Sequence, residues 1–162
     1  MKISEGVEWA LHCLILLAAV PEGHALAATR LAEFHGVPGP YLAKHLQALS
    51  RAGLVATVAG RRGGYRLARA ADQISVLDVL LAVDGPAPPF TCTEIRRRGP
   101  AALPDAAYRT MCSVHRAMAR AESAYSAALA ETTVADLVSD MLKDASPEGL
   151  IRGAQWLQQT LA

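Results

Sequence analysis

A chain of 162 residues that is 52% apolar suffices for one compact domain with a sizeable core, and only 5% aromatic content favours close-packed helices over sheets. Sixteen Lys/Arg against fifteen Asp/Glu leave a net charge of +1, but residues 1–71 hold eight basic side chains against four acidic ones and stand at +4, leaving residues 72–162 at −3. Three cysteines, Cys13, Cys92 and Cys112, are too few and too odd a set for a secreted disulfide framework.

A basic N-terminal half on a neutral chain fits a nucleic-acid-binding module joined to a neutral or acidic partner region. The apolar run that follows Lys2 resembles a signal peptide at first sight. Glu5, Glu8 and His12 interrupt it, and its apolar centre is short for a bilayer. A cytoplasmic protein with no membrane partner is expected.

Ser4 is a plausible N-cap for a first helix over residues 4–20, which Pro21-Glu22-Gly23 stops. A short helix over 29–35 ends at Gly36. Pro38-Gly39-Pro40 opens a third helix that runs to Gly53 with Leu42, Leu46 and Leu49 on its apolar side. The stretch LVATVAGRRGGYRLA then reads as strand, glycine turn and returning strand. These elements predict a mainly α fold with a small β-hairpin wing, a winged helix-turn-helix.

Ser75-x-x-Asp78 resembles a capping box and starts a fourth helix. A Pro/Gly-rich loop follows from Gly85, and a long helix is expected over about 105–131. Val114, Met118, Ala121, Tyr125 and Ala128 form a narrow apolar seam along it, which suggests a helix–helix dimer contact. Thr133-x-x-Asp136 caps a further helix, and the tail from Pro147 can form a weak amphipathic one. The expected organisation is a DNA-binding domain over 1–84, a loop over 85–106, dimerisation helices over 107–145 and a tail over 146–162.

In a helix-turn-helix, the second helix enters the major groove by its N-terminal residues, here Pro40, Tyr41, Lys44 and His45. Tyr41 and His45 can donate to phosphates or bases, and Lys44 can reach a phosphate or a guanine; half-buried packing is the alternative for Tyr41 and simple surface exposure for His45. The wing GRRGG places Arg61 and Arg62 where a narrow minor groove concentrates negative potential. Ser4, Thr29 and Arg51 are lesser phosphate candidates.

Four fragments, MKIS…VEWAL, PYLAKHLQALSRAGLV, GRRGGYRLAR and ISVLDVLLAVDG, resemble the Rrf2 family of winged-helix transcription regulators, the IscR/NsrR group. The likeness covers about residues 1–140, and VEWALHC and CTEIR bring it nearest to the RsrR-type redox-sensing branch. It implies a homodimeric regulator with the long helix dimerising; a repressor on a palindromic double-stranded DNA operator is the expected function. It also implies a [2Fe–2S] cluster held by Glu8, His12, Cys92 and Cys112, with helix one of one subunit meeting the loop of its partner.

This loop departs from the usual pattern of three clustered cysteines: nineteen residues separate Cys92 from Cys112. Two thiolates cannot complete a site that needs four ligands. Glu8 and His12, at i and i+4, share one helix face and can converge on one site, and imidazole is an accepted cluster ligand. His115, three residues after Cys112, is a rival to His12. Cys13 points away from His12 around the helix and reads as a buried structural thiol. Trp9 is a candidate to shield or gate the cluster, with plain helix packing as its alternative.

Other readings remain open. Cys92 and Cys112 can serve as a thiol switch in a cluster-free regulator. An enzyme is disfavoured, because no phosphate loop, nucleophile elbow or base-paired carboxylates mark a small-molecule substrate site. A winged helix used only for protein contacts sits poorly with Arg61 and Arg62.

Overall fold

The computed structural model describes residues 3–86 and 90–162. Its helices are α1 (Glu5–Ala18), α2 (Ala28–His35), α3 (Gly39–Arg51), α4 (Val76–Asp84), α5 (Ser113–Glu131), α6 (Val134–Asp144) and α7 (Pro147–Leu161), with strands β1 (Val55–Val58) and β2 (Gly64–Leu67) between α3 and α4. The expected mainly α fold with a hairpin wing is the observed one. No helix among the described residues is long and apolar enough to cross a membrane.

Local chemistry sets most boundaries. Gly36 closes α2 at φ +64°, a left-handed turn that glycine adopts without penalty. Pro38 supplies the extended residue before α3. The side chains of Ser75 and Asp78, and of Thr133 and Asp136, exchange hydrogen bonds with each other's backbone N–H as full capping boxes.

One cap and one helix start differ from the sequence reading. Ser4 precedes α1 in extended backbone but makes no cap bond; its hydroxyl and N–H donate to the Asp84 carboxylate at the end of α4. The long helix starts at Ser113 rather than near 105. Asp105–Ala107 is one 3-10 turn, because the Tyr108 hydroxyl accepts from the Leu103 N–H and donates to the Arg96 carbonyl, holding this segment in loop form.

The core is aliphatic. Val7, Ala10, Leu14 and Leu17 of α1 meet Leu31 of α2 and Leu42, Leu46 and Leu49 of α3, all at most 2% exposed. Each such leucine contributes about 1.5–3 kcal/mol by leaving water. β1 and β2 pair antiparallel from Val55↔Leu67 to Val58↔Gly64. Leu26 adds a bridge to Tyr65 at the edge of the hairpin. A side-chain carbon at residue 64 would collide with the Leu26 carbonyl, so glycine lets that third segment approach.

α7 forms as a full amphipathic helix. Trp156, Leu157 and Leu161 rest on the core, and Trp156 meets Phe34 of α2 with ring centroids 4.7 Å apart. α5, by contrast, has no buried residue, and Val114 and Met118 of its seam are 57% and 41% exposed.

Candidate metal centre and nucleic-acid interface

The first turns of α3 present Pro40, Tyr41 and Lys44 outward. Tyr41 is 60% exposed, and the Lys44 ammonium lies 5.5 Å from its ring centroid, a cation–π pair that orients both. His45 turns inward instead. It is partly buried, its ring edge-to-face with that of Trp9 at a centroid distance of 6.1 Å and occupying the space a side-chain carbon at residue 6 would need. Beyond their shared aliphatic core, α1 and α3 therefore also touch through this histidine.

Arg61 and Arg62 stand exposed at the wing turn. An Arg62 N–H donates to the Ala162 carbonyl at 3.1 Å, so the end of α7 reaches the wing. Thr29 is exposed in the first turn of α2, and Arg51 is exposed as the last residue of α3. The hydroxyl of Ser4 is engaged by Asp84. Arg69, absent from the sequence reading, donates to the carbonyls of Gly53 and Ala52 and so caps the end of α3.

Glu8 and His12 are both exposed on α1, and the rise per residue places them about 6 Å apart along the axis. With Trp9, His35 and Val37 they line a cleft of ≈ 300 Å³. His35, at the end of α2, is the residue sequence spacing missed; twenty-three positions separate it from His12, and no local pattern links them. Its ring centroid lies 5.8 Å from that of His12, and its Nε2 is buried with no hydrogen-bond partner. Burial, then the neighbouring His12, pushes His35 below the ordinary imidazole value.

Cys112 occupies the residue before α5. The backbone N–H groups of His115 and then Val114 point at its sulfur and hold the thiol below its ordinary value; Arg96 adds to this, while burial opposes it. The His115 ring faces Phe90, with centroids 6.2 Å apart. Cys92 is partly buried in the same loop. Arg96 sits within electrostatic reach of both thiols.

The four expected ligands do not converge within one chain: among the described residues, no group of three or more His, Cys, Asp and Glu side chains could hold a metal ion. They form two pairs. Glu8 and His12 lie open on α1, and Cys92 and Cys112 lie in the loop before α5. Neither pair completes a four-ligand site by itself, and the donor types present, two thiols, an imidazole and a carboxylate, are ones a metal centre can take. Cys13 is fully buried, and burial pushes its thiol up to about 12, so it stays a packing residue.

Residues 3–140 match the Rrf2 family, described as "Iron-dependent Transcriptional regulator". The chain is similar to the HTH-type transcriptional regulator slr0846 of Synechocystis, 40% identical over 90 residues, 56% of this chain and 61% of that protein. It is 32% identical over 145 residues to the HTH-type transcriptional regulator Rv1287 of Mycobacterium tuberculosis, covering 89% of this chain and 85% of the other. Among solved structures, CymR, the global cysteine regulator of B. subtilis, superposes with a TM-score of 0.68 at 25% identity over 86% of this chain and 97% of its own. T. potens IscR shares the fold, with a TM-score of 0.65 at 23% identity over 93% of this chain and 96% of its own. The matched region ends before α7. The chain is a regulator rather than an enzyme, and it belongs to the Rrf2 family of transcriptional regulators.

Proposed function

We propose that the chain acts as a homodimeric repressor on a palindromic DNA operator, its affinity set by a [2Fe–2S] cluster. Glu8 and His12 of one protomer and the partner subunit's Cys92 and Cys112 hold that cluster. The observation that carries this reading is the division of four suitable donors, among the described residues, into an exposed pair on α1 and a more buried pair beside α5 that do not meet within one chain. A second copy supplies the missing half of each site, and the exposed seam of Val114 and Met118 supplies a surface for it.

A bound cluster contributes one-electron redox chemistry. The protein's own residues turn that into DNA affinity. Glu8 and His12 stand on the same two turns of α1 as Gly6 and Trp9, which touch His45 of α3. A shift of α1 therefore reaches the helix that carries Pro40, Tyr41 and Lys44. Those residues, with Thr29 and Arg51, face the major groove and its phosphates, and Arg61 and Arg62 reach into the minor groove. Trp9, lining the cleft beside Glu8 and His12, is placed to gate the change. Half-sites one helical turn apart make binding sensitive to small rotations between protomers.

A second reading is favoured by the depressed Cys112 thiol: a cluster-free regulator in which Cys92 and Cys112 form a thiol switch. The test is an anaerobic iron and sulfide assay with absorbance spectra. The cluster reading expects about one [2Fe–2S] per chain, lost in Glu8→Ala, His12→Ala, Cys92→Ala and Cys112→Ala. Colourless, iron-free protein that binds operator DNA selects the thiol switch. If His12→Ala keeps the native spectrum and His115→Ala loses it, His115 is the ligand.

A further inference from the structure

The loop before α5 holds a side-chain assembly that neither the fold nor the ligand set requires. Arg96 donates from Nε and Nη2 to the two carboxylate oxygens of Glu94, at 2.5 and 2.9 Å, and Nη2 also donates to the Thr110 carbonyl at 3.0 Å. Glu94 is two residues after Cys92, and Thr110 is two residues before Cys112. One guanidinium thus spans both arms of a loop whose cysteines are twenty positions apart. Planar, forked guanidinium suits this bridge, since a lysine ammonium cannot serve both oxygens of Glu94 in one plane.

Two further observations point the same way. Glu94 has φ +49°, a left-handed conformation that costs a non-glycine residue about 1–3 kcal/mol unless its surroundings hold it. Tyr108 braces the back of the bridge: its hydroxyl donates to the Arg96 carbonyl at 2.7 Å, and its ring carries the Arg96 guanidinium 5.3 Å from its centroid.

We propose that Arg96 is a positioning residue, a latch that draws the Cys92 and Cys112 arms together before any metal arrives. The proposal rests on the reading of those two cysteines as a functional pair, whether as ligands or as a switch. The latch spares the cluster, or the disulfide, the entropy of closing an open loop.

The test uses metal-free, fully reduced, full-length protein and phenylarsine oxide, which is retained when two thiols bond to one arsenic and its oxygen leaves as water. Wild type is expected to retain one arsenic per chain. Arg96→Ala should lower that affinity by about tenfold or more, with iodoacetamide still alkylating both Cys92 and Cys112 to completion. Glu94→Gln, which keeps the side chain's shape and removes the charged fork, should move in the same direction. Arg96→Lys should rescue part of the loss, and Arg98→Ala, an exposed neighbour, should match wild type. Wild-type arsenic retention in both Arg96→Ala and Glu94→Gln overturns the latch, as does an equal loss in Arg98→Ala. Because the readout is taken without iron, the latch and the cluster stand or fall separately: a colourless protein with an intact Arg96 effect keeps the latch, and a cluster-bearing protein without that effect loses it.

Discussion

The imidazole of His45 lies against the backbone of Gly6, where any side-chain carbon would overlap the ring. Gly6 is buried on α1, two residues before Glu8, and His45 follows Lys44 on α3. Gly6→Ala is expected to push the histidine ring outward and tilt α3. Overpacking of this size costs about 1–3 kcal/mol of stability. Affinity for an operator selected in vitro by the wild type should fall about tenfold at unchanged iron content, read by fluorescence anisotropy. A folded Gly6→Ala protein with wild-type affinity would sink the α1–α3 coupling.

Arg61→Ala with Arg62→Ala should weaken operator binding and reduce the slope of log affinity against log salt by about 1–2, the signature of lost phosphate or groove contacts. The single variants should differ, since Arg62 is engaged with the Ala162 carbonyl and must exchange that contact for DNA. An unchanged salt slope in the double variant would remove the wing from the interface.

Val114→Glu and Met118→Glu place charge on the exposed seam of α5. Each should leave the protomer folded with an unchanged helical circular-dichroism spectrum, since both positions are exposed within one chain. Sedimentation velocity should show a shift from dimer to monomer with loss of cluster, because each metal site then lacks its other half. A stable, cluster-bearing dimer in both variants would place the protomer contact elsewhere.

Cys13 has its thiol pushed up to about 12 by burial, from an ordinary value of 9.0. The unfolded chain releases this proton first, so the stabilisation is whole below pH 9 and fades as pH climbs from there towards 12. Cys13→Ser should cost about 1–3 kcal/mol at neutral pH by burying an unpaired hydroxyl. The gap to wild type should narrow through that alkaline window in urea melts at several pH values. A constant gap would contradict the assignment, and unchanged iron content would confirm that Cys13 serves packing alone.

Much of the fold was legible because its boundaries are local. Ser75 with Asp78 and Thr133 with Asp136 announce their capping boxes within four residues, and Gly36 announces its left-handed cap. The start of α5 was not legible, because Tyr108 ties its segment to Leu103 and Arg96, and such tertiary bonds leave no periodic trace. Ser4 reads as a cap by type, yet its partner is Asp84, eighty positions away. In the candidate site, the i, i+4 spacing of Glu8 and His12 is a helix property and therefore visible. The neighbouring His35 and the Arg96 bridge depend on chain folding and became visible only in three dimensions.

The C-terminal end of α5 is stitched down. The Val76 N–H donates to the Thr132 carbonyl at 2.8 Å and the Val134 N–H to the Ile74 carbonyl at 2.9 Å, so the capping boxes of α4 and α6 sit side by side. Nineteen residues away, the helix begins at the loop that carries Cys112. A rod about 28 Å long pivots on such a pinned end, and a 1 Å displacement at its tip becomes a turn of about 2° at the pivot. The pivot adjoins α4, which Asp84 ties back to Ser4 at the root of α1. Leverage of this kind needs no long chain of contacts: one stiff beam and one hinge would carry a motion at the thiols into the head, as the proposed switch requires.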